Sequence, residues 1–189
     1  MSLTDRETWA LVHGIILGAL FLLAFAGGLA GLYSLRPDLV TEKGVGERMR
    51  RLYFGTTVMA GLVWATVLTG TWVVYPWYRE KLAGDDYAGC ADLAIPNGET
   101  CSPRDFLLSN VSGDTEEWHT FAFEWKEHIA WFAPMFATVA MFMTLYYKRD
   151  LAKNNTARKI TMGFFVMAFA TAAIAGIYGA LVTKVAPVK

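Results

Sequence analysis

The sequence predicts an all-α integral membrane protein. It is a four-transmembrane-helix bundle with both termini on the outer side and a disulfide-closed outer loop between helices 2 and 3. Three observations predict it. Four apolar runs carry no charged residue in their middles, and each approaches the roughly 20 residues that cross a bilayer core. Lys and Arg collect in the two short connections on one side of those runs. Both cysteines, Cys90 and Cys101, fall in the long connection on the other side.

The whole chain of 189 residues forms one membrane domain. The first span covers 9–35 and ends against Arg36; the second covers 52–77. The outer loop, 78–114, is rich in turn formers: Gly84-Asp85-Asp86, Pro96-Asn97-Gly98, Ser102-Pro103 and Ser112-Gly113-Asp114. Asp114-x-x-Glu117 then reads as a capping box, the signature of a helix start. The third helix therefore begins near Thr115, keeps 115–127 outside the membrane, and crosses over 128–147. The fourth span covers 160–183. A soluble bundle is disfavoured, because four uncharged runs leave few polar faces for water. Met1 to Thr8 shows no signal-peptide pattern, and no repeat or low-complexity tract stands out.

Charge sets the expected orientation. Arg36 to Arg51 holds five Lys/Arg, and Lys148 to Lys159 holds five more. Short basic connections mark the cytoplasmic side. The other side holds seven Lys/Arg against thirteen Asp/Glu. The expected setting is a bacterial inner membrane, with the N-terminus, the long loop and the C-terminus periplasmic. Trp9, Trp72, Tyr75, Trp77, Tyr78 and Trp131 would form the outer aromatic belt, and Tyr33, Tyr53, Tyr146 and Tyr147 the inner one. An oxidising outer compartment favours a disulfide between Cys90 and Cys101 over two free thiols. Closing that loop is worth roughly 2–3 kcal/mol.

The chain has three histidines. Counted from Arg36 and Lys148 at the helical rise of 1.5 Å per residue, His13 and His128 stand about 30–35 Å above the inner edge. They lie on different helices within about 5 Å of the same depth, whereas His119 stands roughly 43 Å up, outside the hydrocarbon. Two histidines facing across a bundle are what one bis-histidine b-type haem requires, so His13 and His128 are the candidate iron ligands. Gly14 and Gly18 follow His13 as GxxxG and offer room. Trp118, Phe121, Trp125, His128, Phe132 and Met135 recur at helical spacing, which gives Trp125 and Phe132 as walls for a macrocycle. Each feature also has a structural reading: GxxxG as a close helix contact, the stripe as packing.

Other chemistry is weaker. No CxxCH is present, which excludes a covalent c-type haem. Glu116-x-x-His119 is one half of a di-iron carboxylate motif with no second half. There is no phosphate loop, nucleophile elbow or dinucleotide fingerprint, and no basis for nucleic-acid binding.

The expected function is a membrane cytochrome b subunit that carries single electrons between the quinone pool and an outer-side carrier within a larger respiratory or photosynthetic complex. Quinone is the second expected cofactor. The expected partners are lipid, other subunits and a basic soluble carrier. Such a carrier would be steered by the loop acids Asp85, Asp86, Asp92, Glu99, Asp105, Glu116 and Glu117. The chain reads as an electron-transfer or accessory subunit rather than an enzyme alone. Two other classes stay open: a cofactor-free accessory subunit, and a pigment-binding subunit with His13 or His128 on a chlorophyll magnesium. Arg79, Lys81 or Lys126 would pair haem propionates.

Overall fold

The computed structural model describes residues 5–39, 41–80, 82–83, 93, 100–109 and 116–185. Cys90, Lys81, the capping box at Asp114 and the acidic stretch through Asp85, Asp86, Asp92 and Glu99 lie outside the described residues.

Four helices are long and apolar enough to cross a membrane. The first helix is built from Asp5–Leu11, a π-helical turn Val12–Ile16 and Leu17–Ser34. The second runs through Glu42–Thr69, a second π-helical turn Gly70–Val74 and Tyr75–Arg79. The third is Glu116–Tyr147, and the fourth is Asn155–Val185. The second helix starts ten residues before its apolar run because its charged turns are themselves helical. The Thr41 hydroxyl caps it by accepting the Gly44 N–H at 3.2 Å, and Glu47 pairs with Arg51 one turn on. The third helix is already formed at Glu116, so the expected extension above the apolar run is present.

The loop holds one feature that an all-helical reading lacks. Leu82–Ala83 pairs antiparallel with Thr100–Cys101, Leu82 opposite Cys101. This short ladder closes the neck of the loop. Ser102 then caps the helical turn Pro103–Leu107 through a reciprocal bond with Asp105.

At the opposite end the helices turn over tightly. Lys148 takes φ 48° just after the third helix, the left-handed position that lets a helix stop. Arg158 is buried and donates to the Leu151 and Ala152 carbonyls at 3.2 Å. These are the open acceptors at the end of the short helix Asp150–Lys153.

Around the bundle the helices follow chain order. The first packs on the second, the second on the third, the third most extensively on the fourth, and the fourth closes against the first. The first and third helices therefore stand diagonally. Small residues line the buried side of the third helix. Ala133, Ala137 and Ala140 form the buried stripe of the third helix, and without large side chains the backbones approach closely. The Trp64 indole donates to the Thr138 hydroxyl at 3.0 Å and ties the second helix to the third.

Phe165 of the fourth helix lies at the centre of the core, fully buried. It fits because Gly28 of the first helix has no side chain: a Cβ there would come within 2.6 Å of the Phe165 ring. Gly28→Ala is expected to lower stability by about 1–3 kcal/mol through overpacking, measured by reversible unfolding in detergent. Gly14→Ala, where an added Cβ meets nothing within 4 Å, is the matched control and should be close to neutral.

Candidate functional site

His13 sits in the first π-helical turn and Gly70 opens the second. In each turn one residue is inserted: Leu17 N–H donates to Val12 O and Tyr75 N–H to Gly70 O, five residues back. Such wide turns recur at functional positions. Here they face each other. The His13 ring lies over Gly70, where a Cβ would be 2.6 Å from Cε1. His13 Nδ1 is 2.8 Å from the Thr66 carbonyl and 3.4 Å from the Thr69 hydroxyl. A carbonyl only accepts, so Nδ1 carries the proton and Nε2 is the free lone pair of the neutral ring.

His128 is oriented in the same way by its own helix. Its Nδ1 lies 2.7 Å from the Glu124 carbonyl, which again leaves Nε2 available. A bond from the other ring nitrogen to a carbonyl is what orients a ligating histidine. The surroundings differ, however. His128 is exposed, and it shares its face with Phe121, Trp125, Phe132 and Met135, all exposed. Trp125, Glu124 and His128 line an open hollow of about 260 Å³.

The two candidate ligands have different surroundings. His13 is turned toward the second helix. On the third helix it is Lys126, not His128, that points into the bundle: it acts electrostatically on His13, and its Nζ lies 3.1 Å from where a Gly179 Cβ would be. Two residues along an α-helix are about 200° around it, so His128 faces away from Lys126. Each imidazole taken singly fits an axial ligand.

The remaining candidates fall into place from the same geometry. A Cβ added at Gly14 or Gly18 would meet no neighbouring atom within 4 Å, so among the described residues this GxxxG forms no close helix contact. Lys126 points away from His128's face, and the Arg79 guanidinium stands 5.1 Å over the Tyr75 ring. Neither is placed beside His128 as a propionate partner. Cys101 is buried at 1 % exposure beside the loop neck. Among the described residues no group of three or more His, Cys, Asp or Glu is placed to hold a metal ion.

Sequence reasoning set His119 aside because a count along the helix put it above the hydrocarbon. The structure buries it at 3 % exposure, stacked on Tyr78 and Phe123. The signal was available: His119, Phe123 and Lys126 repeat at four and three residues, facing Tyr75 and Tyr78 three apart on the second helix.

No protein-family model, curated protein or solved structure matches the chain.

Proposed function

We propose that the protein is an electron-transfer subunit of a larger membrane complex, with His128 as an axial ligand to one b-type haem held against the exposed face of the third helix. The observation that supports it most is the Nδ1–carbonyl bond of 2.7 Å on an exposed, aromatic-lined face. That bond fixes the tautomer and aims Nε2 outward. Trp125 and Phe132, 52 % and 46 % exposed, stand one turn before and one turn after His128. They offer flat apolar surfaces against which a macrocycle would pack, with His128 as the residue that would hold it. When bound, the haem supplies a one-electron couple.

The same proposal includes the topology. The basic connections 36–51 and 148–159 face the cytoplasm, the loop and both termini face the periplasm of a bacterial inner membrane, and the acidic loop receives a basic soluble carrier. It also includes a Cys90–Cys101 disulfide, which the antiparallel neck at Leu82 and Cys101 and the lack of a free cysteine among the described residues support. A non-reducing digest is expected to yield one cross-linked peptide containing both cysteines. Two alkylatable thiols in freshly isolated protein would contradict the bond.

A second reading rests on the same nitrogen. One open axial position suits a chlorophyll magnesium as well as a haem iron, which would make the chain a pigment-binding subunit. The absorption spectrum of protein purified in mild detergent separates the readings. A reducible α band supports haem, a chlorin band supports pigment, and aromatic absorption alone leaves an accessory subunit.

A further inference from the structure

At the loop end of the bundle, four rings from two helices form one aromatic box. Tyr78 stacks on Phe123 at 4.5 Å between centroids, His119 on Phe123 at 5.3 Å and on Tyr78 at 5.9 Å, and Tyr75 lies 6.2 Å from Phe123. Leu107 packs against Tyr78, with Phe106 and Trp77 around them.

The packing of this box is apolar, yet among the described residues the two nitrogens of His119 are unsatisfied. Among the described residues neither His119 Nδ1 nor Nε2 has a hydrogen-bond partner, although the residue is only 3 % exposed. The Tyr75 hydroxyl is also buried without a bonded partner. Glu127 and Arg79 stand beside it as charged, hydrogen-bonding neighbours, so the clearer deficit is that of the His119 nitrogens. Buried polar groups are nearly always bonded, and an exception calls for an occupant or a function. A phenylalanine at 119 would keep the same stack and carry no unpaired nitrogen.

The groups present define what would satisfy them. A neutral imidazole offers one N–H donor and one lone pair, and a phenol offers a hydroxyl. The walls are aromatic faces, and the site lies at the end of four apolar helices. A metal ion is poorly served, since His119 belongs to no group of three or more metal-ligating side chains among the described residues. A flat, membrane-soluble ring with oxygen atoms at its edge is well served. Its carbonyl accepts from the imidazole N–H or the phenol, and in reduced form its hydroxyl donates to the imidazole lone pair.

We propose that His119 and Tyr75 hydrogen-bond the head group of a membrane quinone lying against the Tyr78–Phe123 stack. This names a donor class for the electron-transfer reading on which it rests, but its test needs no haem. The full chain, purified in mild detergent, is titrated with a short-chain benzoquinone while tryptophan emission is followed; Trp77 packs against the box and reports on it. Saturable quenching is expected above the linear loss caused by partition into micelles. His119→Phe should weaken the apparent Kd about tenfold and Tyr75→Phe about threefold, the scale of single hydrogen bonds. His119→Gln, which keeps a donor and an acceptor, should stay close to the natural protein. Without quinone, His119→Phe should unfold at a temperature no lower than the natural protein, and added quinone should raise the natural protein's transition but not the variant's. Quenching that never saturates overturns the proposal, and so does a Kd unchanged in both His119→Phe and Tyr75→Phe. If His119→Phe does not fold, an unchanged Kd in Tyr75→Phe is sufficient to overturn it.

Discussion

Phe165→Ala is expected to lower the stability of the detergent-solubilised protein by about 3 kcal/mol, at the lower end of the range for emptying a buried phenylalanine site. The lower end applies because lipid tails are as apolar as a core side chain, so the transfer term between helices is small. What remains is the cavity. The Phe165 ring fills the space over Gly28 and meets the Phe25 ring at 6.3 Å, so its removal leaves the first and fourth helices facing a void lined by few atoms able to follow. The contact between those two helices is the least extensive of the four around the bundle, and Phe165 and Phe169 both meet Phe25 across it. Phe54→Ala serves as the comparison, since Phe54 is 74 % exposed and its loss should cost under about 0.5 kcal/mol. Equal effects at the two positions would contradict the assignment of the core.

The architecture that this prediction tests was largely legible in the sequence. Hydrophobic run length found all four helices, because a bilayer-spanning segment is defined by length and lack of charge, which are one-dimensional properties. The extension above the third apolar run was read from an Asp114-x-x-Glu117 capping box; the box lies outside the described residues, and the helix is formed from Glu116 on.

Direction around each helix was not legible. His13 and His128 were matched by depth, but depth says nothing of azimuth, and one turns toward Gly70 while the other lies on the exposed face. The inward face of the third helix was written in small residues, Ala133, Ala137 and Ala140, rather than in the more conspicuous aromatic stripe. In water an aromatic stripe would mark the core; in a bilayer the apolar outer face is equally favourable, and small residues mark the contact. The π-helical turns at Val12–Ile16 and Gly70–Val74 carried no recognisable sequence signal. They matter here because each inserted residue changes which side chains face inward beyond it. His119 was missed for a related reason: the box that buries it is built from the end of the second helix and the turn Pro103–Leu107, which a count along the third helix does not contain.

The second large effect concerns the cofactor. His128→Ala is expected to abolish haem binding, because an axial nitrogen has no substitute among the residues one turn away, Glu124, Trp125, Trp131 and Phe132. His13→Ala is expected to retain the cofactor and to lose stability instead. Its ring fills the hollow over Gly70 and satisfies the Thr66 carbonyl at 2.8 Å, so truncation should cost about 1–3 kcal/mol. The two variants thus separate a ligand from a packing residue, although both positions offer an imidazole with a free Nε2.

The most direct measurement is the reduced-minus-oxidised absorption spectrum of three proteins purified side by side in mild detergent: the natural chain within its complex, His128→Ala and His13→Ala. The expected result is a b-type α band in the natural protein and in His13→Ala, and none in His128→Ala. A band that survives in His128→Ala, or one lost equally from both variants while the complex stays assembled, would contradict the assignment of His128 as the ligand.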